Sequence, residues 1–385
     1  MKLKHLIIFV AITAAVNNIY CQTADASATG ISRAFNPAIS VNSFFYYMNT
    51  DRDNPLWQEA GLEPGFNYKE ICVEMTSNVD IYLQAKVALS AEKDHGVGAE
   101  EAYVTTLTLP IPVIFRAGLM FNTFGRHNLY HAHHMAFVER PMIHQQVFGS
   151  KLREVGIEAS YLLHFPWYAD VTVGILNGDN TYLFNSNENR HFAYLAHFDN
   201  VADLSDEITL RMGGSYLFGR RGLNYIDNVT LPIGPDTSKI SSKVWGIDFH
   251  LKWKPMEYGR YHSFVLQGEY INSTLDVNDS STKPLHGFFV QALGQVGLRW
   301  WLQARYDWFN RSQDLHRFFP QPMNFNFNNA EDFNGRRWSV GIAYVPTEFS
   351  AYKIQYNNLK LGDQTENQIV VQLNVTIGSH PAHKY

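Results

Sequence analysis

Runs of about ten residues in which apolar and polar side chains alternate recur along almost the whole chain, and they constrain its fold more than any other feature. The clearest run spans 299–309, where Trp300, Leu302 and Tyr306 fall on one face and the opposite face carries charge. Similar runs occupy 244–254 and 368–377. Because successive side chains of a strand point to opposite faces, this period of two predicts β-strands. Helical periodicity is rare, and we predict an all-β protein.

Marking every alternating run predicts sixteen strands. They span 38–48, 68–77, 81–92, 98–108, 113–120, 155–163, 166–177, 191–199, 205–218, 243–254, 262–272, 286–297, 299–309, 336–346, 348–357 and 367–377. Soluble sheets most often use strands of about 5 to 6 residues, whereas a tilted strand that crosses a bilayer needs about 9 to 11. The predicted lengths therefore favour strands that span a membrane.

The connections between these strands alternate between short turns and longer polar loops. Short links are predicted at 77–80, 109–112, 164–165, 201–204, 255–261, 297–298 and 346–347. Together with an even strand count and aromatic residues near the strand ends, this asymmetry indicates a transmembrane antiparallel β-barrel of about sixteen strands. A secreted β-sandwich or a solenoid is the alternative, although we find no repeat of 20 to 50 residues.

The charge balance excludes one class of function. The chain has 385 residues, with 31 lysines and arginines against 36 aspartates and glutamates, and its net charge is −5. A dedicated nucleic-acid-binding protein normally carries a basic excess. We therefore expect no nucleic-acid partner.

The N-terminal 21 residues are predicted to be a signal peptide. Lys2, Lys4 and His5 precede an apolar run over 6–16, which is too short for a membrane helix of about 20 residues. We expect residues 22–35 to form a periplasmic segment, 36–377 the barrel and 378–385 a periplasmic tail. Cys21 can alternatively be read as a lipidated cysteine; otherwise Cys72 is the only thiol of the processed chain.

The polar faces of the strands are predicted to line the lumen. Sixteen strands leave room for an aqueous channel. Charges of both signs are predicted there and nearly cancel: Lys86, Arg116, Arg211, Lys252, Lys254, Arg299, Arg305 and Lys353 against Glu70, Glu74, Glu101, Glu158, Asp170, Glu207, Asp248, Glu269 and Asp307. We therefore expect selectivity to come from the loops or from a constriction rather than from a strongly cationic wall.

The longest connection between predicted strands runs from 121 to 154, between the fifth and sixth strands. In sixteen-stranded porins the loop at this position folds into the lumen, and by analogy we expect the same here. The loop holds five of the chain's 16 histidines: His127, His131, His133, His134 and His144. Neutral imidazole binds zinc, copper and nickel when three or four ligands converge.

Two groups of residues are therefore predicted metal ligands. The five loop histidines form the first group together with Glu139, which could bind the metal directly or hydrogen-bond to a metal-binding histidine and orient it. His380 and His383 of the tail form the second, on the side where a metal would arrive after passage. The alternatives are a hydrated histidine-rich loop bonded to the barrel wall and a disordered terminus.

Four motifs are similar to those of a family of porin-like bacterial outer-membrane proteins. They are Phe35-Asn36-Pro37-Ala38-Ile39-Ser40, Glu100-Glu101-Ala102-Tyr103-Val104, His131-Ala132-His133 leading to Phe137, Val138 and Pro141, and the C-terminal segment 377–383. The resemblance implies a barrel, and it implies zinc association because members are often zinc-associated. The chain departs from the family pattern at Met135 and Ala136, where an aromatic and an acidic residue are expected.

Two functions are compatible with these features. The first is an outer-membrane porin-like channel for small solutes that is selective for divalent metal, zinc above all, through the histidine-rich loop. The second is a general diffusion porin with no metal role. We predict no enzyme, because the chain lacks a Gly-x-Ser-x-Gly elbow and a His-Glu-x-x-His helix. No cofactor is required; the expected partners are outer-membrane lipid, the solutes or metal ions and, by analogy, two further copies in a homotrimer.

Overall fold

Sixteen long strands account for most of the structure. It is a computed structural model, and it describes residues 37–53, 55–56, 62–93, 96–184, 191–220, 240–277, 280–281, 284–311 and 333–378. The strands are β1 (Ala38–Thr50), β2 (Gly65–Asn78), β3 (Leu83–Glu92), β4 (Gly96–Thr106), β5 (Val113–Phe121), β6 (Arg153–Leu162), β7 (Tyr168–Leu176), β8 (Ala193–Ser205), β9 (Ile208–Arg220), β10 (Ile240–Trp253), β11 (His262–Val277), β12 (Leu285–Val296), β13 (Trp300–Arg311), β14 (Phe333–Thr347), β15 (Ser350–Leu361) and β16 (Gln364–Gly378). Ser280 and Ser281 add a short extension to the hairpin after β11.

Each strand pairs in antiparallel fashion with its neighbours in sequence, and the first and last strands pair with each other. β1 and β16 are joined over eleven residue pairs, from Ser40 opposite Gly378 to Thr50 opposite Gln368. This pairing closes the sheet, so that every one of the sixteen described strands has a partner on both sides. The predicted sixteen-stranded barrel is therefore confirmed.

The outer face of the barrel is apolar. Side chains that the alternation predicted to point away from the lumen are exposed on the isolated barrel, for example Ile247, Leu302, Val340 and Ile354, while their sequence neighbours are buried or half-buried. Aromatic rings form a row near the short turns, where the Trp300 and Tyr344 centroids lie 4.7 Å apart. Such a belt with aromatic rims is typical of a barrel embedded in a bilayer.

The connections follow the predicted asymmetry, with two corrections of position. The link predicted at 346–347 lies at Glu348 and Phe349, because β14 continues to Thr347. We predicted a tight link at 201–204, but β8 continues to Ser205 and only Asp206 and Glu207 lie in the turn. A register shift between Asp203 and Ser205 extends the pairing, and the Thr209 hydroxyl donates to the Asp203 carboxylate at 2.7 Å. The shift breaks the strict alternation on which the prediction depended.

Two β-bulges bring consecutive charged residues into the interior. Lys69 is the extra residue of β2 against β1, and Glu100 is the extra residue of β4 against β3. As a result Lys69 is buried together with Glu70, and Glu100 together with Glu101. A bulge re-aims the side chains beside it. No helix among the described residues is both long and apolar enough to span a membrane.

The predicted signal peptide, the segment 22–35 and the tail histidines His380 and His383 lie outside the described residues. Their assignments stay predictions.

Candidate functional site

The connection between β5 and β6, residues 122–152, folds into the barrel as predicted, and we call it the lumen loop. It contains two 3₁₀ turns, His127–Leu129 and Ala132–His134, and one helix, α1 (Met142–Phe148). All seven residues of α1 are buried, and the helix ends at Gly149, whose φ of 73° suits glycine. Most of the loop is hidden from solvent although it belongs to no strand.

Glu158 of β6 fastens the start of the lumen loop. Its carboxylate accepts hydrogen bonds from the Thr123 amide at 3.0 Å and the Thr123 hydroxyl at 2.7 Å, and it pairs with Arg116 of β5 at 2.5 Å. The base of the loop is closed by Asn128, whose amide nitrogen donates to the Asn122 and Leu152 carbonyls at 2.8 Å each. These contacts hold the two ends of the loop together at the wall.

On one stretch of wall the loop meets four buried glutamates: Glu70, Glu74, Glu100 and Glu101. We call these residues, which belong to β2 and β4, the acidic wall. His131 lies between them, with Nδ1 3.2 Å from Glu100 Oε2 and Nε2 2.9 Å from Glu101 Oε2.

Burial alone would lower the pKa of His131, but the hydrogen bonds to Glu100 and Glu101 outweigh it and raise the pKa to about 9. The ring is therefore a cation at neutral pH. Lys86 and Lys151 add two more cations, at 2.7 Å from Glu101 Oε2 and 2.5 Å from Glu100 Oε1.

A second stretch of wall is cationic and binds the backbone of the same loop. The basic wall comprises Arg305, Arg337 and Lys353, which donate to the carbonyl oxygens of Glu139, Arg140 and Met135 at 2.9, 3.0 and 2.6 Å. Asp307 accepts from both arginines and from the amide of Met142 at the start of α1. Asp307 thus partly neutralises the basic wall, and the hydrogen bonds of Arg305 and Arg337 hold the loop in position.

An apolar core lies between α1 and the barrel wall. Phe124, Met142, Ile143, Val147 and Phe148 of the loop pack against inward-facing apolar residues of β7–β15. These wall residues include Leu176, Leu217, Ile271, Phe289, Phe309 and Leu361. The interior is therefore not uniformly polar, in contrast to what alternation alone predicted. Burying such side chains stabilises the loop by about 1.5–3 kcal/mol each.

The predicted ligands separate into three places. His131, His133 and His134 lie together: the His133 and His134 ring centroids are 4.0 Å apart, and Glu74 Oε1 is 3.7 Å from His133 Nε2. A second pair, His127 and His144, has ring centroids 5.2 Å apart, with His144 Nε2 3.1 Å from Glu269 Oε2.

Glu139 is bound elsewhere. Its two carboxylate oxygens accept hydrogen bonds from Gln355 at 2.8 Å and Asn357 at 2.9 Å. Whether any of these residues binds a metal stays a prediction.

Sequence reasoning missed Glu100 and assigned no role in the site to Cys72. Alternation places Glu101 inside the barrel and therefore Glu100 outside, and only the bulge turns both inward. The sequence signal was the pair of adjacent glutamates in an otherwise alternating strand, which is unfavourable on a lipid-facing surface.

A cavity of about 600 Å³ lies beside the lumen loop. Its walls include Lys69 and Glu70 of β2, Lys151 of the loop and Arg153 at the start of β6. Gly96 and Asp179, near the longer loops, also line it, so the cavity lies toward that end of the barrel.

Comparison with known proteins agrees with this architecture. No family model matches the chain. An uncharacterized protein of Aquifex aeolicus (strain VF5) is 25% identical in an alignment 354 residues long, and the match covers 85% of this chain and 71% of that protein.

Several solved structures share the fold at low identity. A loop L8 deletion mutant of OmpT, an outer membrane protein of Vibrio cholerae, has a TM-score of 0.58 at 13% identity over 89% of this chain and 100% of its own. The outer membrane channel DcaP of Acinetobacter baumannii has a TM-score of 0.56 at 12% identity over 89% of this chain and 96% of its own. An anion-selective porin from Comamonas acidovorans has a TM-score of 0.56 at 9% identity over 89% of this chain and 100% of its own. The chain therefore has the fold of bacterial outer-membrane porins and channels.

Proposed function

We propose that the protein is an outer-membrane porin-like channel that lets small hydrophilic solutes cross the membrane. The observation that carries the proposal is the lumen loop, which lies inside a closed sixteen-stranded barrel and is fastened at Glu158, at the acidic wall and at the basic wall. A barrel of this size without such a loop would leave a wide pore. A fastened loop narrows the path and gives it a charged lining.

The charges around the path make the channel discriminate among solutes by polarity as well as by size. Four glutamates belong to one stretch of the wall and three cations to another. His131, Lys86 and Lys151 offset much of the first stretch and Asp307 offsets part of the second, so the interior presents charges of both signs, which favours hydrophilic solutes over apolar ones. Cavity residues Glu70, Lys151 and Arg153 present both signs to a solute that arrives from the longer loops. Those loops lie on the extracellular side in barrels of this class.

We further propose that the path is selective for divalent metal, with zinc as the first choice. His133 and His134 lie beside Glu74, whose Oε1 is 3.7 Å from His133 Nε2; His131, with both ring nitrogens bound to Glu100 and Glu101, would become a ligand only after it loses a proton and releases one of these carboxylates. Imidazole nitrogen and carboxylate oxygen are the ligands that zinc prefers, and a site for transport needs to bind weakly enough to release the ion. The general diffusion porin without a metal role is the competing function.

The first experiment is single-channel conductance of the refolded protein in planar bilayers, with and without micromolar zinc. The test variant carries His133→Ala and His134→Ala, which leave the His131 anchor in place. His127→Ala is the matched control, because His127 belongs to the other histidine pair. A zinc-dependent change of current in the wild type and the control, but not in the test variant, would support metal selectivity.

Other outcomes decide between the alternatives. Open channels whose current does not respond to zinc in any variant would favour the general diffusion porin. Absence of channels from folded protein would overturn the channel proposal itself.

We expect no enzymatic activity and a homotrimer as the functional unit. One of the similar structures, OmpT of Vibrio cholerae, is described as a trimer form and has a TM-score of 0.57 at 12% identity over 89% of this chain. The expected partners are therefore outer-membrane lipid, the permeating solutes or ions and two further copies of the chain. Chemical cross-linking of the detergent-solubilised protein tests the assembly: a ladder that ends at three copies supports it.

A further inference from the structure

A cysteine and two glutamates converge on the wall of the barrel beside the lumen loop. One potential ligand atom from each of Glu70, Cys72 and Glu100 lies within 4.8 Å of the other two. Within the described residues this is the one group of three histidine, cysteine or acidic side chains that is this compact. All three side chains are buried, and none was predicted to bind metal from the sequence.

The backbone explains how the three side chains meet. Glu70 and Cys72 are two residues apart on β2 and share its inner face, while Glu100 comes from β4. The intervening strand β3 places the small Ser90 directly opposite Cys72, so longer side chains from both neighbours can meet above it. The bulge in β4 turns Glu100 inward, and Cys72 Sγ lies 3.7 Å from Glu100 Oε2.

A second observation points to a missing ligand. Glu70 is 5% exposed, yet its Oε1 has no hydrogen-bond partner in the part of the chain that the structure describes. A buried carboxylate oxygen without a partner is costly, and here a second carboxylate of like charge lies within 4.8 Å. A cation bound between the two carboxylates removes both penalties.

The surroundings suit such a cation. Glu70 and Ser90 line the 600 Å³ cavity, which provides a route to the cluster. Lys151 donates to Glu100 Oε1 at 2.5 Å, while Oε2 lies 3.7 Å from Cys72 Sγ and also accepts from His131 Nδ1 at 3.2 Å. Three anionic ligands on a divalent ion leave one net negative charge, and two cations that contact Glu100, the Lys151 ammonium and the His131 imidazolium, lie beside the cluster to offset it.

We propose that Glu70, Cys72 and Glu100 bind one divalent cation of the zinc class, with a fourth position open to the cavity. A thiolate beside carboxylates selects zinc or a similar borderline ion over magnesium and calcium, which take oxygen ligands. The sulfur–metal bond forms as the thiol proton leaves to solvent, so binding weakens as the pH falls. In the metal-free state the Cys72 thiol donates to Glu100. In the metal-bound state the sulfur binds the metal in place of its proton. The inference does not depend on channel function.

The test uses Co²⁺ alone as a spectroscopic probe for the full chain in detergent, on a Cys21→Ser background in which Cys72 is the sole cysteine. A thiolate ligand produces a near-ultraviolet sulfur-to-cobalt charge-transfer band that histidines cannot produce. We expect this band to saturate at one cobalt per chain and to vanish in Cys72→Ser. Glu70→Gln should weaken cobalt binding by at least roughly tenfold, because loss of even an outer partner of a metal ligand costs that much.

The matched control is the His133→Ala, His134→Ala variant, which should keep the band. A second measurement on the unmutated site is alkylation of Cys72, which zinc should slow. Cobalt spectra that lack the charge-transfer band would overturn the proposal. Loss of all cobalt absorption in the histidine variant, and in no other variant, would also overturn it. So would zinc-indifferent alkylation. Conductance measured on the same samples separates the two proposals, because normal channels without the band refute only the thiolate site.

Discussion

Glu100 and Glu101 are neighbours in the chain, yet both side chains are buried inside the barrel and both bind His131. In a regular strand one of the two would face the lipid. The bulge at Glu100 removes this conflict and provides a pair of carboxylates that hold the imidazolium from both ring nitrogens. The lumen loop is therefore fastened to this wall by an ionic contact whose strength depends on pH.

His131→Gln tests that contact. The pKa of His131 rises from its ordinary 6.5 to about 9 in the folded protein. Its stabilising contribution is complete below pH 6.5 and is lost as the pH rises through 9, a loss of roughly 3 kcal/mol. We expect urea unfolding in detergent to show a larger wild-type advantage over His131→Gln at pH 6 than at pH 10. A difference that does not change with pH would contradict a protonated anchor.

Glu158→Gln should loosen the start of the lumen loop. The substitution leaves the Arg116 guanidinium without its carboxylate partner and weakens the bonds to Thr123, so the free energy of unfolding should fall by about 3 kcal/mol. Thermal unfolding in detergent measures the change. Glu348→Gln, at an exposed turn position, is the matched control and should stay within about 0.5 kcal/mol of wild type. Equal effects of both substitutions would refute the anchoring role.

Asp307→Asn should shift ion selectivity toward anions. Asp307 is the buried acceptor of both Arg305 and Arg337, so its neutralisation removes one negative charge and leaves the basic wall more cationic, although Glu139 Oε2 stays 3.8 Å from Arg337 Nη1. The reversal potential in a salt gradient across a planar bilayer measures the shift. Asp363→Asn removes the same charge from an exposed turn and should leave the reversal potential unchanged. A matching shift in the control would mean that net charge, rather than the basic wall, sets selectivity.

Val340→Arg tests the membrane-facing surface. Val340 lies in the middle of β14 with its side chain outside the barrel, where an arginine at the bilayer centre costs about 2–4 kcal/mol. Leu298→Arg, in the short turn between β12 and β13, should cost only about 0–1 kcal/mol near the interface. Unfolding of both variants from lipid vesicles gives the comparison. A mid-strand arginine that costs nothing would place this face outside the hydrocarbon region.

The sequence by itself determined the barrel. Side chains such as Leu302 and Arg305 alternate because the two faces of each strand meet lipid and lumen, and this local rule recurs in every strand, interrupted at irregularities such as the bulges of β2 and β4. It was sufficient to predict sixteen strands and the long loop between β5 and β6.

Only the tertiary structure decided what the lumen loop contacts. Glu100 needs a bulge that shifts the register against β3, and Cys72 meets Glu100 only because Ser90 between them is small. The pairing of Arg305 with the carbonyl of Glu139 joins residues 166 positions apart. Alternation describes each strand alone, whereas these contacts depend on the register between strands and on where the loop comes to rest against the wall.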